Sequence, residues 1–215
     1  HERSAHETVP FGFPAADQKT EGIPLAALSQ ICAPPGISSG KQTMLINLMA
    51  QFTARESFCA LIDASDSFDP ASAQDAGVDL KHVLWTRCSG KSRLLQMEQA
   101  FKAADIVLHN GGFGLVVVDL SDIEEKIARK VPLTTWYRFA RVVERMRAAL
   151  LFMMSYPAAQ SCAALTLHFR PASPSWEGPS NIAHAQVLAE LEFEVEVGQS
   201  RMRRPVQVAL HREKR

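Results

Sequence analysis

The sequence offers no way to pair its cysteines. Cys32, Cys59, Cys88 and Cys162 stand singly among 215 residues, so the C-x-x-C signatures of zinc and dithiol redox sites are missing. The first three lie in apolar runs (SQICA, SFCALID, VLWTRC) and read as small buried hydrophobes in a reducing compartment. The 7 histidines are scattered, with no H-E-x-x-H, which argues against a metal site built on them. There is no charge excess: Lys+Arg is 23 and Asp+Glu is 23. That balance excludes coating nucleic acid by bulk charge and leaves room only for a local patch. No uninterrupted apolar run reaches the roughly 18–20 residues of a membrane span. With 12 Pro and 11 Gly, the chain is neither fibrous nor disordered by composition. The opening HERSAHETVP is polar and starts on His1, so the expectation is a cytoplasmic chain without a secretory signal, either a fragment or a processed form.

What is present is an ordinary globular composition, 47% hydrophobic and 21% charged, at a length that suits one domain. Strand-length apolar runs alternate with helical patterns. Residues 28–33 form a short apolar run that ends in a Pro/Gly/Ser loop. Leu45, Leu48, Met49 and Phe52 then recur at helical spacing. FCALID (58–63), the run 83–88, LVVVDL (115–120) and 150–154 read as further strands, and 69–77 as a turn with a short helix. Leu94, Met97, Phe101, Ala104 and Leu108 mark a helix that stops at Asn110-Gly111-Gly112. Trp136, Phe139, Ala140, Val143 and Met146 mark another, with Trp136 and Tyr137 expected in the core. This order predicts a mostly parallel sheet covered on both faces, with right-handed crossovers. In the last third, 163–169, 193–197 and 205–210 alternate, which predicts half-exposed antiparallel strands at one edge. PASPSWEGPSN (171–181) reads as a loop in which Trp176 either meets a partner or folds back. DIEEKIARK (122–130) reads as a solvated connector.

The segment Pro35-Gly36-Ile37-Ser38-Ser39-Gly40-Lys41-Gln42-Thr43 lies between a strand and a helix. Backbone N–H groups at a helix start favour an anion, and a lysine there adds a charged donor for terminal phosphates. Ser38, Ser39, Gly40, Lys41, Gln42 and Thr43 are therefore the candidate nucleotide-binding residues. Against G-x-x-x-x-G-K-[ST], Pro35 holds the first glycine position and Gln42 replaces the hydroxyl that would meet magnesium. Thr43 carries a hydroxyl but lies about a hundred degrees further round the helix. The segment reads either as a working phosphate site or as a phosphate loop kept as scaffold. Asp119 closes LVVVD and, with Thr43, is the candidate magnesium residue. Asp63 closes FCALID on the same rim and reads equally as a turn residue. Ser89-Gly90-Lys91-Ser92 reads as a strand-to-helix turn with Ser92 at the N-cap. Arg201, Arg203, Arg204, Arg212, Lys214 and Arg215 form a local basic patch. It suits DNA or an acidic partner, or an edge kept from pairing by charge.

Four features in order carry a family resemblance: S-S-G-K-x-T after a strand, L-I-D-A-x-x-x-F-D-P-x-x-A-x-x-x-G-V-D-L, L-W-x-R-C, and L-V-V-V-D-L. From about Gly22 onward the chain resembles the RecA recombinase core, and more closely the ImuA-like proteins of damage-inducible mutagenesis. The resemblance implies an α/β, RecA-like three-layer sandwich, its mostly parallel sheet extended by antiparallel C-terminal strands. It implies a tail or lead-in at 1–21 and a single domain at 22–215, with a core at 25–170 and an extension at 182–215. It implies ATP or ADP with Mg2+ as cofactor, with Asp69 near the adenine amine. The resemblance also exposes departures. Ser65 stands where the family carries the glutamate that activates water, and Asp66 beside it is shorter and out of register. Ser72 stands where a tyrosine stacks on adenine. Met154-Ser155-Tyr156 replaces the Asn-Gln nucleotide sensor, and only 157–161 remain for a DNA-binding loop.

A hydrolytic site needs a positioned phosphate, a magnesium ion and an activated water. With the last two weakened, the expectation leans away from an enzyme. It points to a non-hydrolytic accessory of error-prone translesion repair that acts by recruitment. The implied partners are an ImuB-like polymerase-related protein and a DNA polymerase III alpha-type subunit, with self-association and at most weak or indirect DNA contact. The partner surface is expected on the edge strands or the tail. The rivals are a DNA-stimulated ATPase using Lys41, Thr43 and Asp119, and a cell-division or signalling regulator on the same scaffold.

Overall fold

The run Leu115-Val116-Val117-Val118 offers no polar side chain to either face, so it suits only a strand covered on both sides, and all four residues are fully buried. The computed structural model describes residues 7–36, 38–177, 187–200 and 207–211. In chain order the strands are β1 (Thr8–Val9), β2 (Ile23–Pro24), β3 (Ala27–Cys32), β4 (Phe58–Asp63), β5 (Val83–Arg87), β6 (Phe113–Asp119), β7 (Ala149–Met154), β8 (Leu165–Phe169), β9 (Ser173–Glu177), β10 (Val187–Ser200) and β11 (Gln207–His211). The helices are α1 (Pro14–Thr20), α2 (Lys41–Thr53), α3 (Pro70–Asp75), α4 (Arg93–Asn110), α5 (Glu125–Ala128) and α6 (Leu133–Glu144).

Among the described residues the main sheet runs β5-β4-β6-β7-β3-β8-β10-β11, and every pairing from β5 to β8 is parallel. The β strand period of two then sorts the side chains. Cys59 and Leu61 of β4 and Leu115 and Val117 of β6 join the core under α2, whereas Ala60, Ile62, Val116 and Val118 join the core under α4 and α6. Met44, Leu45, Leu48, Met49 and Phe52 make the buried stripe of α2. On the other face Phe101, Trp136, Phe139 and Phe152 interlock edge to face or tilted, and Trp136 and Phe152 have centroids 5.0 Å apart. Residues 7–21 hold β1 and α1 and carry Phe11 into the core beside α2. Ser92 caps α4 by accepting from the Leu95 N–H, and Gly111 ends it at a positive φ of 69°.

Four sequence expectations change. Residues 163–169 were expected as a half-exposed antiparallel strand, but β8 is parallel to β3 and almost wholly buried. Its alternation arises because Thr166 faces a buried amide instead of water: Gln30 Nε2 donates to Thr166 Oγ1 at 2.9 Å. The expected loop at 171–181 contains β9, which pairs antiparallel with β10. Glu192 of β10 pairs with both Ser173 and His211, and Val195 with both Phe169 and Val208. β8 and β9 therefore lie end to end along one edge of β10, with β11 on the other. Pro174 is tolerated because the far edge of β9 has no strand beside it among the described residues. Tyr137 is 47% exposed, since the buried face of α6 passes through Trp136, Phe139 and Val143. The connector 122–130 holds α5 and buries Ile123 and Ala128, because its charges take one side and its apolar residues the other. Cys32, Cys59 and Cys162 are buried and Cys88 is partly so; burial pushes the Cys32 and Cys59 thiols up to about 12. Arg201, Arg203, Arg204, Arg212, Lys214 and Arg215 lie outside the described residues.

Gln30 also accepts from the Ala159 N–H at 3.2 Å, so one buried side chain ties β3 to β8 and to the turn after β7. Gln30→Ala leaves two buried groups unpaired and should lower stability by about 1–3 kcal/mol for each. Urea unfolding followed by far-UV circular dichroism measures this, and an unchanged midpoint would count against the tie.

Candidate nucleotide site at the carboxyl rim of the sheet

The parallel register brings the candidate residues to one rim. Asp63 pairs directly with Asp119 across β4 and β6, and β3 delivers residues 33–40 at the same end. Both carboxylates fall on the α2 face by strand alternation. Gly40 takes a positive φ of 77°, a conformation that glycine adopts without cost, and turns the chain into α2. No side chain caps α2, so the N–H groups of its first turn have no intrahelical acceptor and face out as donors. Ser38 is exposed; Ser39 is buried, and its Oγ makes no hydrogen bond. Lys41, Gln42 and Thr43 are partly exposed. Burial lowers the Lys41 pKa, partly opposed by the charges of Asp119 and Asp122.

Asp119 is the centre of the rim and is fully occupied. Its Oδ1 accepts from Ser65 Oγ at 3.1 Å and from the Ser121 N–H at 2.9 Å. Its Oδ2 accepts from Ser67 Oγ at 2.9 Å and from Gln42 Nε2 at 3.3 Å. Gln42 also donates to Ser67 Oγ at 2.7 Å, and Ser65 Oγ accepts from the Asp122 N–H at 3.2 Å. Two of the positions that depart from the hydrolytic pattern, Gln42 and Ser65, thus close on the carboxylate expected to serve magnesium. Sequence reasoning missed Ser67, because its meeting with Asp119 depends on β4 lying beside β6.

Asp63 does a different job. It accepts from the N–H groups of Ser65, Ser67 and Phe68 and from Trp85 Nε1, so it holds the turn that presents both serines. Asp66 sits at a positive φ and pairs with Arg87 at 3.3 Å. Asp69 caps α3 through the Ala71 and Ser72 N–H groups and also takes the Ser72 hydroxyl. Those bonds, led by the Ser72 hydroxyl, hold its carboxyl below the usual range. Where the resemblance places adenine contacts, both side chains are engaged with each other. Ser155 Oγ donates to the Ile123 carbonyl, and the Tyr156 ring lies under the Arg129 guanidinium at 4.1 Å. The short segment after it continues into a 3-10 turn, Gln160–Cys162, pinned by Gln30.

These residues fit a phosphate and do not fit a divalent cation. The loop offers free N–H donors and a lysine, which is the chemistry an anion needs. A cation at Asp119 would have to displace two donors from one carboxylate oxygen, and hydrogen bonds to charged groups contribute about 1.5–3 kcal/mol each. Gln42 brings an amide whose Nε2 donates to Ser67 and Asp119, in place of the hydroxyl that the pattern has after the lysine. Among the described residues no group of three or more His, Cys, Asp or Glu side chains could hold a metal ion. No described helix is long and apolar enough to cross a membrane.

Known proteins agree with this geometry at the level of family. The model of the RecA N-terminal domain family matches residues 7–127. Protein RecA of Rickettsia massiliae (strain Mtu5) is 32% identical over 98 residues, and Protein RecA of Acinetobacter baumannii (strain AYE) is 35% identical over the same length. Each alignment covers 46% of this chain and 26% of the relative, so the chain matches about a quarter of the length of these curated relatives. That family model spans more than half of the chain, so the chain belongs to the RecA N-terminal domain family.

Proposed function

We propose that this chain binds a nucleotide through its phosphates without hydrolysing it, and that it acts as a recruiting accessory in damage-inducible, error-prone DNA repair. One observation carries the first half: Ser65, Ser67, Gln42 and the Ser121 N–H occupy both oxygens of Asp119. A carboxylate so engaged neither orients a metal nor activates water. The loop at Gly40 and Lys41 keeps its free donors, and the buried Ser39 hydroxyl beside it has no partner of its own. The ligand is ATP or ADP, with the triphosphate or diphosphate as the gripped part. The second half rests on the family resemblance, which names an ImuB-like protein and a DNA polymerase III alpha-type subunit as partners. The short, pinned turn after β7 favours recruitment over wrapping single-stranded DNA.

Steady-state phosphate release, with and without single-stranded DNA, should stay at background. Turnover that disappears in Lys41→Ala would overturn the non-hydrolytic reading. Calorimetry should give an ATP affinity that is the same in Mg2+ and in EDTA. Gln42→Thr removes one donor from Asp119 and should restore a Mg2+ preference of about tenfold, or ~1.4 kcal/mol. A wild-type affinity that drops that far in EDTA would show that the metal seat is open. For the repair role, the chain should copurify with polymerase subunits after DNA damage, and their consistent absence would defeat that assignment.

A further inference from the structure

On the sheet face opposite α2, α4 and α6 leave between them an open groove of about 730 Å³. Its floor is aliphatic: the partly buried Val142 of α6 and Met146 just beyond it, backed by the buried Leu108 of α4, with the exposed Tyr137 as one wall. Its rim is basic. Arg138 is held by Asp105 at 2.8 Å, whereas Arg141 and Arg145, one helical turn apart, make no ion pair among the described residues. In a chain of zero net charge, two unspent guanidinium groups beside an apolar trough form a local complement to an acidic, apolar segment. The floor stays in place because the Phe101, Trp136 and Phe139 cluster fastens both helices to Phe152 of β7.

We infer that the α4–α6 groove docks an acidic amphipathic helix of a partner protein. Its apolar residues would cover Val142, Met146 and the Tyr137 ring, and its carboxylates would meet Arg141 and Arg145. The 12 residues of α6 run about 18 Å at 1.5 Å per residue, so an antiparallel helix of about three to four turns matches the length. A nucleic-acid backbone would use the arginines but leave the aliphatic floor in water, so a protein segment is favoured. The inference rests on the recruiting role proposed above and moves the expected partner surface away from the edge strands and the tail.

The test uses the full chain and a fluorescein-labelled synthetic peptide of about four helical turns. Its leucines stand at i, i+3, i+4 and i+7, with glutamates flanking them. Fluorescence anisotropy should show saturable binding that weakens at least about tenfold in Arg141→Glu/Arg145→Glu and also falls with added salt. Both arginines are exposed, so circular dichroism should show an intact fold in the variant. The same peptide with lysines for glutamates should then bind the charge-reversed chain and not the wild type. Equal binding of a scrambled peptide, or indifference to the double substitution, would overturn the groove. So would an oligonucleotide that binds this face when the peptide does not, or a chain dimer that the double substitution dissolves. Peptide binding without polymerase copurification defeats only the repair assignment. Copurification that survives the double substitution, with no peptide binding, defeats only the groove.

Discussion

The saturation of the Asp119 carboxylate is the constraint around which the rim is organised. A buried carboxylate is costly unless each oxygen finds donors, and here four arrive from three separate segments. α2 sends Gln42, the turn after β4 sends Ser65 and Ser67, and the backbone just past β6 sends Ser121. The same contacts that satisfy the charge also lock these segments together. Asp63, in direct register with Asp119, makes the arrangement self-consistent by shaping the turn that carries the two serines. The two rim carboxylates thus divide the labour: one builds the clasp and the other is clasped.

Under the proposed function, the rim would grip phosphate while protein donors fill the place of the metal. The donors at the start of α2 depend only on backbone geometry and on glycine at position 40, so they survive changes of side chain. Metal coordination depends on a hydroxyl and a free carboxylate; Gln42 replaces the first, and four donors together engage the second. The Lys41 ammonium stays within the influence of Asp119 and Asp122, which partly offset the burial that lowers its pKa.

Most of the architecture was readable in the sequence because parallel strands buried on both faces write themselves as unbroken apolar runs. FCALID and LVVVDL have no polar interruption before their closing aspartates, and β4 and β6 end on those residues. The helices were equally legible where one face was apolar and the ends carried caps, as at Ser92 and Gly111. Alternation misled at 163–169 because it cannot distinguish a side chain facing water from Thr166 facing the Gln30 amide. Composition misled at 171–181 because prolines and serines can occupy an edge strand. At the site, the loop and the aspartates were visible as motifs. The clasp was not, since Gln42, Ser67 and Asp119 are 25 and 77 residues apart in their pairings and meet only through the sheet order. The groove was hidden for the same reason: Arg141 and Arg145 look like ordinary helix-surface charges until α4 supplies Leu108 beside them.

Gln30 gives the rim a further property. It lies in the strand that runs into the phosphate loop, and its amide grips the neighbouring strand on one side and the turn after β7 on the other. One side chain therefore couples these three parts. A pull on that strand from its loop end would reach both neighbours through a single amide.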